Sequence, residues 1–170
     1  MTLPVYRGSG EEAGVAALRV GAAHPPAAEM WDWVQLIQRN ADLGCVMQRV
    51  HLVTEPLGDC LRFELCRAYP YGVRGGEDVR IIPVPEGQDW PADVPRHDYW
   101  LYDSHRLVDM HYDDNGTWLG VEPVHDPARI VAANYARDAA WHHAIPCSEY
   151  VGVRPELVDL LPEGATLATK

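Results

Sequence analysis

The stretch that decides the fold is Asp98–Val124, DYWLYDSHRLVDMHYDDNGTWLGVEPV. Within it, segments 98–103, 106–112 and 117–124 each have the short, aromatic or alternating composition of a β-strand. Asn115-Gly116 joins the last two segments, and this pair accepts the positive φ angles that a tight hairpin requires. The stretch therefore predicts three consecutive antiparallel strands, a β-meander.

The middle strand of this meander has two different faces. Val108, Met110 and Tyr112 share one face, and Asp109 and His111 share the other. Because successive side chains on a strand point to opposite faces, this alternation is typical of a strand with one buried face.

Before the meander, the sequence predicts a helix and then a strand-helix-strand unit. Apolar residues at helical spacing predict the first helix over residues 29–43. Strands are predicted over 45–54 and 79–84, with a helix over 60–68 between them. Such a unit favours two parallel strands joined by a right-handed crossover.

After the meander, the pattern changes to that of a helix. The Asp126 side chain can accept a free backbone N–H at the start of a helix, and Pro127 suits its first turn. The helix is predicted to run to residue 143 and to end before Pro146.

Together these elements predict a fold class and a domain organisation. The fold class is α/β (mixed α+β), with a single mixed sheet of about five to six strands that includes the meander and carries helices packed on it. Residues 1–150 are predicted to form a single globular domain, in which residues 1–28 are a poorly patterned N-terminal segment. Residues 151–170 are predicted to be a C-terminal tail with a short helix.

Composition and charge argue against several classes of protein. The chain has 170 residues, of which 47% are hydrophobic and 23% charged, as in soluble globular proteins and unlike disordered ones. Its net charge of −11 argues against a broad nucleic-acid-binding surface, because affinity for phosphates depends mostly on cations. The acidity would favour a basic partner.

Targeting features and cysteines predict a cytoplasmic location without membrane contact. No apolar run approaches the roughly 20 residues that span a bilayer, and residues 1–20 lack the basic and hydrophobic blocks of a signal peptide. The four cysteines have no CxxC spacing, and we expect them to be reduced, buried thiols.

Histidine and serine patterns do not form a metal or catalytic motif. His142 and His143 are neighbours on a helix, and their side chains point about 100° apart, so they do not readily bind one ion. Ser104 lies between Asp103 and His105, but adjacent turn residues diverge, which favours a polar hairpin turn over a triad. We predict no metal and no cofactor, and catalytic residues stay unknown.

Several polar and aromatic side chains stand out inside otherwise apolar elements. They predict either buried salt bridges and strand-end caps, or a cleft at the strand ends lined by Trp100, Asp103, His111 and Trp141. The candidate ligand- or partner-binding residues are Arg62, Glu64, Asp98, Trp100, Asp103, His111, Trp141 and His142.

Four segments, in this order, carry a resemblance to a known family. They are MQRVHLVTEPLGDCLRFELCRAYPYGVRGGEDVRIIPV (47–84), HDYWLYD (97–103), MHYDDNGTWLG (110–120) and RDAAWHHAIPCSEY (137–150). The chain resembles an uncharacterised actinobacterial domain family, often encoded beside helix-turn-helix regulators, over residues 29–150. The resemblance implies a regulatory, protein-binding role with such a regulator as partner.

A second resemblance is to one half of the phospholipase D-like fold, carried by the order of strands and by Gly76–Ile82. The catalytic version of that fold needs a His-x-Lys-x4-Asp motif, in which the histidine attacks phosphorus and the lysine holds the phosphate. Here Tyr99 follows His97 where the lysine is required, and Asp103 comes one residue early. The resemblance therefore implies a catalytically degenerate copy with a binding role.

Two functions stay open on these grounds. The first is a cytoplasmic non-enzymatic ligand- or partner-binding domain that acts with a helix-turn-helix transcriptional regulator, which the acidity and the degenerate motif favour. The second is a small-molecule enzyme of a specialised biosynthetic pathway, using His/Asp/Glu acid–base chemistry in an aromatic pocket.

Overall fold

The chain alternates helices and strands, and the computed structural model describes residues 1–8, 10–22, 28–162, 165 and 167, with only the backbone of 28–30. In chain order the elements are α1 (Glu12–Arg19), α2 (Ala28–Asp42), β1 (Met47–Thr54), α3 (Asp59–Phe63), a π-helical turn (Glu64–Ala68), α4 (Tyr69–Gly75), β2 (Glu77–Val84), β3 (Tyr99–Tyr102), β4 (Arg106–Tyr112), β5 (Trp118–Val124), α5 (Pro127–His143), β6 (Ile145–Pro146), α6 (Cys147–Gly152) and α7 (Pro155–Val158). The predicted mixed α/β class is confirmed.

The strands form two sheets of three strands each, in the orders β1-β2-β6 and β3-β4-β5. The prediction of a single sheet of five to six strands is therefore wrong. The physical reason lies at the edges of the first sheet. The outer edge of β1 bonds to the N-terminal segment, where Leu52 N donates to Met1 O at 2.9 Å, and β2 pairs with β6 on its other side. Neither β1 nor β2 therefore has a free side that could pair with the meander.

The strand-helix-strand unit and the meander agree with the sequence. β1 and β2 are parallel, with Met47 opposite Glu77 and Thr54 opposite Val84. β3, β4 and β5 are antiparallel neighbours, and the Asp113 carboxylate accepts the backbone N–H groups of the turn that follows β4. Both predictions depended on local signals, which explains why they hold.

The middle strand of the meander is covered on both faces. Leu107 and Asp109 are buried on the face that α5 covers, where Arg129 donates to the Asp109 carboxylate. Met110 and Tyr112, on the other face, are half-buried. A charged residue on the buried face is tolerated because it is ion-paired, so the alternation alone does not tell which face is inside.

The helix between β1 and β2 is longer than predicted. It was expected over 60–68, but helical turns continue to Gly75. Pro70, which lacks an N–H group and cannot donate to an earlier carbonyl, lies in the first turn of α4, directly after the π-helical turn. The local widening of the helix lets it pass the proline.

The N-terminal segment is more structured than predicted. Residues 12–19 of the segment 1–28 form α1, while residues 9 and 23–27 lie outside the described residues. Arg7 forms a parallel β-bridge with Thr117. This approach requires glycine at 116, because a Cβ there would lie 2.2 Å from the Val5 carbonyl oxygen. Residues 1–8 therefore contact both sheets, β1 through Met1 and the β4–β5 turn through Arg7.

The C-terminal elements pack on the first sheet. Asp126 caps α5 as predicted, its side chain accepting from Ala128 N at 2.9 Å. Tyr150 of α6 and Leu157 of α7 are fully buried in the largest core cluster, together with Leu61, Leu65 and Ile81. Among the described helices, none is both long enough and apolar enough to cross a membrane.

Candidate functional site

A cavity of about 430 Å³ opens where the N-terminal segment, α2, the helix that follows β1 and the meander meet. Its volume lies within the range of small-molecule sites in proteins. Its walls combine aromatic rings with charged or acidic groups. The side chains that line it include Tyr6, Trp33, Arg49, Glu64, Ala68, Tyr69, Tyr71, Glu77, Met110, Tyr112 and Trp118.

One wall of the cavity is a largely buried ion pair. Arg49 of β1 donates through Nε to Glu77 Oε1 of β2 at 2.7 Å, and the two side chains are 17% and 2% exposed. Gly72 of α4 gives the carboxylate its room, because a Cβ there would lie 2.4 Å from Glu77 Oε2. The parallel pairing of β1 and β2 thus holds a charged pair at the cavity wall.

Glu64 enters the cavity from the π-helical turn. Its side chain is 2% exposed, and Oε2 has no hydrogen-bond partner among the described residues. Burial raises the pKa of the Glu64 carboxyl well above its usual range. The carboxyl therefore keeps its proton to a higher pH than an exposed glutamate does. Helices with π-helical turns are frequent at functional sites, which fits a side chain aimed at a cavity.

Behind Glu64 lies a buried histidine. The Tyr69 hydroxyl is 2.6 Å from His51 Nδ1, and the Glu64 Oε2 atom is 3.7 Å from the same nitrogen. Burial lowers the pKa of His51 well below its usual range, so the ring is neutral. A tyrosine donating to Nδ1 leaves the ring proton on Nε2, which faces the Leu3 carbonyl at 3.5 Å.

Aromatic rings make up much of the remaining wall. The Arg49 guanidinium lies over the rings of Tyr69 and Trp33, 5.5 and 6.0 Å from their centroids. Tyr112 meets Tyr6 edge-on with the centroids 5.3 Å apart. These ring faces already accept one cation and can accept another.

Three of the sequence-predicted residues lie in the cavity or directly behind it. Glu64 lines it. Asp98 is buried and accepts from the Thr2 hydroxyl at 2.8 Å and from the Tyr6 hydroxyl at 2.7 Å, which fixes the N-terminal segment over the site. Trp100 contacts the wall residue Trp33 edge-on.

The other five predicted residues lie elsewhere. Arg62 and His142 are exposed on their helices, and His111 is exposed beside Glu122. Asp103 is the first of the three turn residues between β3 and β4, and its φ is 48°. Trp141 carries the Arg80 guanidinium 4.0 Å from its ring centroid. The structure does not bring this group into the cavity, and its role in binding stays a prediction.

Sequence reasoning missed most of the cavity wall. Arg49 and His51 alternate with apolar residues on β1, a polar face on a largely buried strand, and that pattern was the available signal. Glu77 and Tyr112 carry no comparable signal, because their place in the cavity wall depends on contacts with residues that are distant in the sequence. Among the described residues, no three His, Cys, Asp or Glu side chains converge as metal ligands would.

Stability at different pH values should reveal the protonated Glu64. A folded-state pKa above the ordinary value of 4.5 means that the folded protein holds a proton that the unfolded chain loses. Stability is then fully present below pH 4.5 and falls as pH rises, by about 1.4 kcal/mol per pH unit until the folded-state pKa is reached. Glu64→Gln should lack this decline.

Urea unfolding of both proteins between pH 4 and pH 8 measures the difference. The stability of Glu64→Gln relative to the wild type is expected to increase with pH, whereas the exposed control Glu86→Gln should follow the wild type. Parallel pH profiles for the wild type and Glu64→Gln would mean that Glu64 is ionised in the folded state.

Comparison with known proteins assigns the chain to a family. The sequence profile of a domain of unknown function, DUF6879, matches residues 2–152. No curated protein and no solved structure matches the chain. The matched residues include the N-terminal segment, both sheets and every residue that lines the cavity except Met1. The chain therefore belongs to the DUF6879 family.

Proposed function

We propose that this domain is a non-enzymatic binding domain, which holds a small organic molecule in the aromatic cavity and acts with a helix-turn-helix transcriptional regulator. The observation that carries the proposal is the cavity itself, about 430 Å³ in volume, with Glu64 Oε2 buried and unpartnered among the described residues. A buried acceptor without a partner is unfavourable, so a ligand that donates to it gains binding energy.

The three buried thiols and His51 favour binding over covalent catalysis, whereas Cys45, which was expected to be buried, is exposed. Burial raises the pKa of Cys60 to about 11 and those of Cys66 and Cys147 to about 12, so these thiols are protonated at neutral pH and poor nucleophiles. His51 is neutral and already bonded to Tyr69. Tyr99 at the position of the required lysine also supports a binding role for a phospholipase D-like half.

The partner follows from charge and from the family resemblance. A net charge of −11 is complementary to a basic DNA-binding protein, and such a complex would be found with the DNA in the cytoplasm. The exposed members of the predicted set, Arg62, Asp103, His111 and His142, are the proposed partner contacts.

Native mass spectrometry of the protein purified from its own host tests both parts of the proposal. The wild type is expected to carry the additional mass of one small organic molecule, and a helix-turn-helix regulator is expected to co-purify. Ala68→Leu, which adds a branched side chain to the cavity wall, should lose the small molecule. Ala132→Leu is the matched control, because Ala132 is exposed on α5.

Two results would count against the proposal. If Ala68→Leu retains the molecule as fully as Ala132→Leu does, the cavity is not the binding site. If no regulator co-purifies with any of the three proteins, the partner is wrong.

A second function, an enzyme acting on a small molecule, is favoured by one observation. A neutral carboxyl such as Glu64 beside a neutral His51 can serve as a general acid in a cavity from which water is partly excluded. The mass of the co-purifying molecule, measured before and after incubation with the protein, distinguishes the two functions. A binding domain releases it with unchanged mass after prolonged incubation at 37 °C, while an enzyme converts it.

A further inference from the structure

We propose that the ligand of this cavity is an organic cation, a primary or secondary ammonium on a compact apolar or aromatic body, with Glu64 as its counter-ion. The inference rests on the proposed function and names the class of ligand that the same cavity takes.

The first step of the argument is the unpartnered Glu64 oxygen. Glu64 Oε2 is buried at the cavity wall, with His51 Nδ1 3.7 Å away and without a donor among the described residues. An ammonium offers N–H donors and a charge, and hydrogen bonds between ionised partners are about twice as strong as neutral ones. A neutral hydroxyl would satisfy the oxygen without using its charge.

The second step is the aromatic wall. Trp33, Tyr69, Tyr71, Tyr112 and Trp118 line the cavity. The negative faces of such rings attract cations, most strongly where water is excluded. The Arg49 guanidinium already lies over the rings of Trp33 and Tyr69, so the geometry for this contact exists in the fold.

The third step excludes an anionic ligand as the best fit. Two cations of the cavity wall are already paired with buried acids: Arg49 Nε lies 2.7 Å from Glu77 Oε1, and the Met1 amino group lies 3.7 Å from Asp98 Oδ1. A carboxylate or phosphate that took Arg49 would leave Glu77, which is 2% exposed, buried and without its cation. Removing one partner from a buried ion pair is strongly unfavourable, so the pair favours cations over anions.

Binding of a cation should be linked to release of a proton. Titratable and charged groups face Glu64 from several elements. They include His51 and Arg49 of β1, Tyr69 of its own helix, Cys60 of α3, Tyr6 and the amino group of Met1 in the N-terminal segment, Glu11 before α1, Asp98 before β3 and Tyr112 of β4. Burial among them raises the pKa of the Glu64 carboxyl and so favours its protonated form. An ammonium that pairs with the carboxylate displaces this proton to the buffer, and affinity should therefore rise with pH.

Isothermal titration calorimetry with three matched probes tests the proposal. The probes are 2-phenylethylamine, which is a cation at pH 7, the neutral 2-phenylethanol and the anionic 3-phenylpropanoate. The amine should bind at least about tenfold more tightly than either of the others. The binding enthalpies measured in phosphate and in Tris should differ, because each buffer takes up the released proton with its own enthalpy. The difference should correspond to about one proton per amine bound.

Glu64→Gln and Glu86→Gln complete the test. Glu64→Gln should lower the affinity for the amine at least about tenfold and abolish proton release. Its affinity for the alcohol should differ from that of the wild type by less than about threefold. The exposed Glu86→Gln should behave as the wild type.

Each other outcome overturns the cation proposal without deciding the proposed function. Equal affinity for amine and alcohol, or tightest binding of the acid, makes the ligand class wrong, and loss of that binding in Ala68→Leu would still support the cavity. Binding of none of the three probes also overturns the cation proposal, and the proposed function is then judged by the mass spectrometry of the retained molecule.

Discussion

Replacing Glu77 with glutamine is expected to lower the free energy of unfolding by about 3–5 kcal/mol, because it leaves the Arg49 cation in a largely buried position without its counter-charge. Arg49 and Glu77 are 17% and 2% exposed, so solvent screens their interaction little. The amide of glutamine can still accept a hydrogen bond from Nε, but it carries no charge. Urea unfolding followed by circular dichroism gives the difference.

A neighbouring residue supplies the matched control. Asp78 follows Glu77 on β2 and lies 3.6 Å from Arg80, in a pair whose side chains are both more than a quarter exposed. Asp78→Asn should change the free energy of unfolding by about 1 kcal/mol or less, as is usual for exposed pairs.

A double variant separates the effect of breaking the ion pair on stability from the effect of replacing each side chain. Arg49→Met combined with Glu77→Gln removes both charges, and it should be more stable than the sum of the two single changes predicts. Equal effects of Glu77→Gln and Asp78→Asn would mean that the Arg49 charge is solvated, and the cavity wall would then lack its fixed ion pair.

The elements that the sequence predicted well are those with short-range causes. Asn115-Gly116 determines a hairpin through the conformations of its own backbone, and Asp126 caps α5 through an N–H two residues away. The strand-helix-strand unit follows from the handedness of a single crossover. In each case the residues that provide the signal also form the element, so a short stretch of sequence is sufficient to predict it.

The number of sheets and the role of the N-terminal segment have long-range causes. The outer edge of β1 bonds to Met1, and Asp98 is held by Thr2 and Tyr6. Segment 1–28 is rich in glycine and alanine and has little periodicity, so its own composition does not predict that it bonds to an edge of one sheet and to the turn of the other. Such pairing depends on the assembled fold.

The site was only partly predictable for the same reason. Glu64 could be selected because a carboxyl stands out within an apolar helix, and it is the candidate that lines the cavity. Arg49 and Glu77 are 28 positions apart and meet only after β1 and β2 pair. Asp103, by contrast, stood out at a strand end, but it occupies a turn with positive φ, so its position has a backbone explanation.

The replacement of Leu157 with alanine is expected to cost about 2–5 kcal/mol of stability, the usual range for removing a buried leucine side chain. Leu157 is 0% exposed and belongs to the core cluster that contains Tyr150 and Val151 of α6. Its carbonyl also accepts from the Cys66 thiol at 3.3 Å, which connects α7 to the π-helical turn that carries Glu64. The void left by alanine would lie in the core cluster that also contains Tyr69, a residue of the cavity wall.

The adjacent Val158 gives the control, since it is 42% exposed, and Val158→Ala should change stability by less than about 0.5 kcal/mol. Chemical unfolding of both variants measures the contrast. A small effect of Leu157→Ala would support a globular domain that ends at residue 150, with a tail that does not stabilise it. A large effect would extend the cooperative unit through α7, because a separate tail does not contribute a fully buried leucine to the core that supports the cavity.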